Sequence, residues 1–419
     1  MISIKYLSSL YLCFFLFSAT SMAQPFTCTL KGKVINRDSK AIYIIKETED
    51  VRSVNTTVPI LEDGSFEYHF EVNQIEAYQL IFKDEMEKGS WRPVTFFPDQ
   101  ELITFELNPS EEFDKNKIEG GKINQAYVAL QNQLTDKFQT PFEKISAERR
   151  ALMENNNFNN DAHRQLISQL KSASPEERNS IYAQLRELSK NHQDKTSEGK
   201  KLAIRTDSLN LAYWASKREY IKQNNNELAY FLLYEEVRGI DQFDFDVVSI
   251  RKNYIKLAQE FPKHPYTKTV GQIIESHDAV KVGEKAIEIK VPDLKGNLVS
   301  LNQSTQGKIV LLDLWASWCG PCIVKSRTMV PIYEKYKDKG FTIFGVAREF
   351  DNTNKLEIAL AREKFPWKNF VELDDKNDIW LKYNIPFSGG GTFLIDQKGT
   401  IVAIDPSAEE VENFIQQHL

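Results

Sequence analysis

The residues with the clearest chemistry are two cysteines separated by Gly320 and Pro321, in the run Trp315-Ala-Ser-Trp318-Cys319-Gly320-Pro321-Cys322. Two thiols at this spacing can close into a disulfide and reopen, so the pair reads as a dithiol for disulfide exchange. The preceding run Lys308 to Leu314, Lys-Ile-Val-Leu-Leu-Asp-Leu, is almost continuously apolar, as expected of a strand buried on both faces of a mainly parallel sheet. A helix is predicted to follow, with Pro321 in its first turn, where no N–H is required. A cysteine at a helix N-terminus meets unpaired amides and the positive end of the dipole, which favour thiolate over thiol. Cys319 is therefore the expected nucleophile. Cys322, one turn behind it, is placed to attack the mixed disulfide and release the substrate.

Zinc is the competing use of such a pair. A four-cysteine site needs a second pair, and a mixed site needs nearby histidines. The six histidines (His69, His163, His192, His264, His277 and His418) are scattered, and none lies between residues 278 and 417. No metal and no cofactor is expected.

The motif, the strand before it and Phe393-Leu-Ile-Asp396-Gln-Lys-Gly399 after it resemble the thioredoxin superfamily, in its TlpA/ResA-like, AhpC/TSA-related branch of envelope thiol:disulfide oxidoreductases. The resemblance covers about the last 140 residues, from near Val282, and includes Val282-Gly-Glu-Lys-Ala286, Val291-Pro-Asp-Leu-Lys-Gly296 and Val299-Ser-Leu301. It implies that Asp313, six residues before Cys319, corresponds to the buried carboxylate that takes the proton of the resolving cysteine. An acid in an apolar strand loses solvation, its pKa rises, and it can act as a base near neutral pH; the alternative is a hydrogen-bonded structural aspartate. Glu349 falls near a glutamate that ResA-like proteins carry beside the site, or else is an exposed loop carboxylate just past a strand from Phe341 to Val346. Trp315 and Trp318 flank the dithiol as motif residues that shape and pack the surface.

This chain departs from the family pattern in three places. The position of the family's cis-proline, three residues before Phe393, is Gly390, within Phe387-Ser-Gly-Gly-Gly-Thr392, and the nearest proline is Pro386. Either a displaced Pro386 approaches the site or Gly390 stands in its place. The helix proline usual five residues after the second cysteine is Arg327, with Pro331 a turn later. The residues following Cys322, Ile-Val-Lys-Ser, are less polar than is common.

Residues 1–23 carry Lys5, an apolar stretch from Tyr6 to Phe17 and a small-residue end, Ser21-Met-Ala23. This is the pattern of a secretory signal peptide cleaved after Ala23, too short to span a membrane. No later segment is long and apolar enough to span, so the expected location is the periplasm. Removal of Lys5 takes the formal net charge from −6 to −7. With 41% hydrophobic and 27% charged residues the chain is globular, and an acidic balance gives no footprint for nucleic acid. After cleavage three cysteines remain, too few for a disulfide framework. Cys28 alternates with Phe26 and Leu30 and reads as a small buried hydrophobe.

At 419 residues the chain should hold two or three domains. From 24 to 122 the alternation of Phe66, Tyr68, Phe70 and Val72 after Asp63-Gly64, and of Ile103, Phe105 and Leu107, predicts an antiparallel β sandwich or barrel. It is similar to an uncharacterised β domain fused ahead of TlpA-like thioredoxins, and a scaffold or partner-docking role is its default. From 123 to 279 helical spacing dominates: Tyr127, Leu130 and Leu134; a capping box at Ser174-Pro175-Glu-Glu177 ahead of Ile181, Leu185 and Leu188; and Tyr254, Leu257 and Phe261 before Pro262. Asn155 to Asn160 and Asn191 to Lys201 read as polar breaks. From 280 to 419 the α/β thioredoxin fold is expected, ending in a helix capped at Ser407-Ala-Glu-Glu410.

The expected function is that of an exported thiol:disulfide oxidoreductase, a reductant whose partners are protein disulfides or dithiols and an upstream thiol reductant. Trp318, Gly320, Pro321, Gly390, Pro386 and Glu349 are expected to shape the site around Cys319, Cys322 and Asp313. The alternatives are a thiol peroxidase-like antioxidant and a non-enzymatic binding protein whose redox site is weakened.

Overall fold

The computed structural model describes residues 25–52, 56–240, 243, 245–385 and 389–419. The expected signal peptide and Pro386 lie outside them. The chain forms three parts.

The first is β1 (Phe26–Val34), β2 (Ala41–Lys46), β3 (Thr56–Pro59), β4 (Ser65–Val72), β5 (Tyr78–Phe82), α1 (Lys83–Glu87), β6 (Val94–Phe96), β7 (Leu102–Leu107) and β8 (Lys117–Glu119). Two four-stranded sheets, ordered β4-β1-β7-β8 and β3-β2-β5-β6, share one core of alternate residues, among them Cys28, Leu30, Phe66, Ile42, Leu80 and Phe105. This is a sandwich rather than a barrel. One pairing departs from the expected antiparallel pattern: β1 and β7 run parallel, with Thr29 opposite Leu102 and Val34 opposite Leu107. The chain between them traverses the second sheet, a crossover long enough to permit parallel pairing.

The second part is helical: α2 (Lys122–Glu154), α3 (Asp161–Leu170), α4 (Pro175–Ser189), α5 (Ser197–Gln223), α6 (Glu227–Arg238), α7 (Val247–Glu260) and α8 (Pro265–Ala279). Leu228 to Tyr234 of α6 are buried without interruption, so this helix is the centre around which the others pack. The break expected from Asn191 to Lys201 is shorter, because α5 already starts at Ser197. Thr196 caps it by accepting from Gly199 N at 3.0 Å. Gly199, which reads as a loop residue, is required inside the first turn: a Cβ there would fall 2.0 Å from the Phe158 carbonyl oxygen.

The third part contains β9 (Lys290–Pro292), β10 (Leu298–Ser300), α9 (Leu301–Thr305), β11 (Ile309–Trp315), α10 (Gly320–Tyr336), β12 (Phe341–Glu349), α11 (Asn354–Glu363), β13 (Asn369–Leu373), α12 (Ile379–Lys382), β14 (Gly391–Ile395), β15 (Ile401–Ile404) and α13 (Ala408–His418). Its sheet runs β13-β12-β11-β14-β15, with β11 parallel to β12 and antiparallel to β14. Every residue of β11 is buried, as its apolar run requires. This is a thioredoxin fold, and its central strand delivers the chain to the cysteines.

The parts interlock through polar contacts as well as apolar ones. Tyr266 Oη accepts from Ala77 N at 2.9 Å, and the buried His264 ring, lowered in pKa to about 4 by desolvation, donates from Nε2 to the Ile75 carbonyl at 2.8 Å. Ser276 Oγ lies 2.8 Å from the Leu381 carbonyl, joining α8 to α12. The seam nearest the cysteines is Arg348 on β12, which is fully buried. Its Nε donates to Asp375 at 2.6 Å, its Nη1 lies 3.5 Å from Asp50 of the sandwich, and its guanidinium faces the Trp380 ring. Removing one partner of a buried pair leaves the other charge stranded. Arg348→Ala should therefore lower stability by about 3–5 kcal/mol, read as a reduced urea midpoint; an unchanged midpoint would mean that the seam contributes nothing.

Candidate redox site

The turn Ala316-Ser317-Trp318 leads from β11 into α10, and Cys319 is the residue that caps the helix. Its Sγ accepts from Cys322 N at 3.3 Å, so a first-turn amide points at the sulfur, as the sequence predicts. Cys319 and Cys322 are joined as a disulfide, with Cα atoms 5.3 Å apart. Cys319 is only 8% exposed, whereas Gly320 and Pro321 form a more open rim.

Asp313 lies below the pair on β11, 3% exposed. Burial pushes its pKa up to about 6, opposed in part by Ser326 Oγ, which donates to it at 2.7 Å, and by Lys325, with Asp405 acting in the same direction as burial. Ser326 is four residues after Cys322, on the same face of α10, and its Oγ is 3.1 Å from the Cys322 carbonyl. The Ile-Val-Lys-Ser stretch thus supplies a partner for Asp313, and Lys325 pairs with Asp405 at 2.9 Å. Pro331 is within α10, which continues to Tyr336, and Arg327 forms a two-bond pair with Glu363.

Glu349 is not an exposed loop carboxylate. β12 continues through Ala347 and Arg348 to end on it, and it is 1% exposed. Its carboxylate accepts from Ser317 N and Ser317 Oγ, both at 2.8 Å, fixing the turn that carries Trp318 and Cys319. Burial raises its pKa, and the Ser317 bonds oppose that rise. Trp315 is buried, its Nε1 donating to Asn369 at 3.0 Å.

Gly390 is the residue beside the dithiol on the loop side. A Cβ there would meet the Leu314 carbonyl oxygen at 2.1 Å and Cys322 Sγ at 2.9 Å, so only glycine permits this approach. Trp380 Nε1 holds the loop by donating to the Gly389 carbonyl at 2.7 Å. No peptide bond among the described residues is cis.

The dithiol opens into a cleft of about 840 Å³ lined by all three parts of the chain. Arg52, from the turn after β2, stacks its guanidinium 3.8 Å from the Trp318 ring and is oriented by two 2.8 Å bonds to Asp50. Arg178, Tyr182 and Arg186 come from α4. Sequence reasoning missed these four. Helical spacing from Cys322 could have found Ser326, but nothing local connects Arg52 or α4 to a cysteine so far along the chain. Among the described residues no group of three or more His, Cys, Asp or Glu could hold a metal ion, and no helix is long and apolar enough to cross a membrane.

A sheet of this order with a cysteine pair capping the helix after its central strand defines a thioredoxin-fold dithiol domain. The AhpC/TSA family profile matches residues 282–404, and a domain of unknown function, DUF4369, matches residues 28–127. The thiol-disulfide oxidoreductase ResA of Bacillus cereus is 32% identical over 142 residues, 33% of this chain and 72% of that protein. The thioredoxin-like protein YneN of Bacillus subtilis is 32% identical over 123 residues, 29% of this chain and 69% of its own length. The thioredoxin domain of a thiol-disulfide oxidoreductase from Bacteroides vulgatus, solved by crystallography, is 33% identical over 33% of this chain and 96% of that one, with a TM-score of 0.30. The chain belongs to the ResA-like thiol-disulfide oxidoreductases, with a DUF4369 domain ahead of the thioredoxin fold.

Because the cradle at Gly390 has no room for a side chain, Gly390→Ala should cost about 1–3 kcal/mol of stability. It should also displace the loop from Cys322. Urea unfolding checks the first effect and the insulin-reduction rate the second; a variant indistinguishable from wild type in both would show that the loop yields freely.

Proposed function

We propose that this chain is an exported, periplasmic reductant of protein disulfides, with Cys319 as nucleophile, Cys322 as resolving thiol and Asp313 as the base. The observation that carries the reading is the stacking of Cys319 at the α10 N-terminus, Cys322 one turn on and a buried Asp313 beneath them. Cys319 thiolate attacks one sulfur of a substrate disulfide, forming a mixed disulfide and expelling the other sulfur as thiolate. Cys322 gives its proton to Asp313, and its thiolate attacks Cys319 Sγ, releasing the second substrate sulfur. Two electrons pass to the substrate and the protein is left with the Cys319–Cys322 disulfide. An upstream dithiol donor in the envelope returns it to the reduced state. Trp318, Gly320, Pro321 and Gly390 shape the docking edge, and Glu349 fixes the Ser317 turn. The signal-like residues 1–23 support export.

Insulin reduction driven by dithiothreitol tests the reading. Wild type should accelerate it and Cys319→Ser should not; equal rates would sink it. Cys322→Ser should instead accumulate mixed disulfides on Cys319, and their partners identify the substrates. The AhpC/TSA match favours one second reading, peroxide reduction, which peroxide consumption by the reduced chain would reveal.

The acid at position 313 gives a pH signature. Its folded pKa is about 6, above the ordinary aspartate value near 3.9, so the folded state holds more protons between those values. Stability attributable to this group is greatest below about pH 4, falls as pH rises to about 6, and stays reduced above it. Asp313→Asn should remove that slope and raise stability at pH 8 by up to about 3 kcal/mol. The same variant should slow resolution of the mixed disulfide by about a hundredfold and erase the inflection near pH 6 in its rate. A retained inflection would assign the titration to another group.

A further inference from the structure

We infer that the cleft above the dithiol receives an acidic polypeptide segment flanking the disulfide that Cys319 attacks, an inference that rests on the disulfide-exchange reading above. Arg178, Tyr182 and Arg186 lie at four-residue intervals, so they form one stripe of α4, and all three line the cleft. Tyr182 is 49% exposed, a large ring left open beside the redox pair. Arg178 Nε donates to the Ala173 carbonyl at 3.1 Å, and among the described residues neither Arg178 nor Arg186 forms an ion pair with a carboxylate. Arg52 also lines the cleft, held flat on Trp318, but its charge is matched by Asp50, so the unbalanced cations are the two arginines of α4.

The carboxylates of the cleft do not balance these charges. Asp313 is buried beneath the pair, with a pKa raised by burial, and Asp405 is engaged by Lys325 at 2.9 Å. A cationic cleft on a chain of net charge −6 is a local feature and not a reflection of composition. Field lines concentrate in such a recess, raising the encounter rate of an oppositely charged partner. The ring of Tyr182 and the Gly320-Pro321 rim offer apolar contact to a main chain between the charges. The cleft volume, about 840 Å³, suits a short extended segment rather than a folded surface. Its floor is a disulfide-exchanging pair, so the segment that belongs there carries a cysteine.

The test compares two synthetic peptides with the same internal disulfide, one flanked by three glutamates and the other by three lysines. They are reduced by the full mature chain with dithiothreitol as electron source. Wild type should favour the glutamate peptide by about tenfold in kcat/KM at low salt, and by less than about threefold at about 0.5 M salt. R178E/R186E should invert the preference and R178Q/R186Q should level it. Equal treatment of the two peptides by wild type, or a preference that survives R178Q/R186Q or high salt, overturns the inference. Neutral hydroxyethyl disulfide, reduced by wild type, separates the two levels: its reduction without peptide preference removes acidic recognition alone. If neither it nor the peptides are reduced, the disulfide-exchange reading and this inference both fall.

Discussion

A guanidinium without access to water can be stable only if its charge is matched in place, and Arg348 is such a group. Its carboxylate partners come from different parts of the chain, Asp375 from just past β13 and Asp50 from the sandwich. Desolvating a lone charge costs several kcal/mol, so the pairing fixes how the sandwich meets the thioredoxin fold. The consequences run in two directions. Asp50 also holds Arg52 flat on Trp318, one residue before Cys319. On the other side Arg348 faces Trp380, whose Nε1 anchors the glycine loop that touches Cys322. One buried charge thereby sets both walls of the redox cleft.

A second constraint lies within the central strand. Apolar packing would favour a hydrophobe at position 313, and a carboxylate there is destabilising when ionised. Ser326 is the neutral hydrogen-bond donor that faces it. When the acid is protonated it can donate to Ser326 Oγ, which in turn can donate to the Cys322 carbonyl 3.1 Å away, so every group in the row is satisfied. When it is ionised, Ser326 must turn its proton to the carboxylate. The protonation state is thus coupled to the first turn of α10, through a side chain on the same helical face as Cys322.

Sequence made the local chemistry legible and left the long-range geometry dark. The buried strand, the helix-capping cysteine and both capping boxes at Ser174 and Ser407 follow from patterns spanning a few residues, and all are present. Two readings of Glu349 stay open in the sequence because Ala347-Arg348-Glu349 looks like the polar end of a strand; what decides between them is its partner Ser317, more than thirty residues earlier. The parallel pairing of β1 with β7 is a matter of topology that alternation cannot encode. Gly390 was recognisable as a departure from the thioredoxin pattern, but its close approach to Cys322 and the Leu314 carbonyl depends on where the loop lies in space.

The division of labour among the three parts follows from these constraints. In the proposed function the thioredoxin fold alone supplies the nucleophile, the resolving thiol and the buried acid, and these are indifferent to which disulfide arrives. Discrimination requires groups that touch the substrate away from the reacting sulfurs, and the cleft residues outside the thioredoxin fold come from the sandwich and from α4. Because Arg52 is oriented through Asp50 and Arg348, its placement depends on the same buried charge that joins the domains. The N-terminal half is therefore part of the wall of the cleft that holds the dithiol, and separating it from the thioredoxin fold would remove that wall.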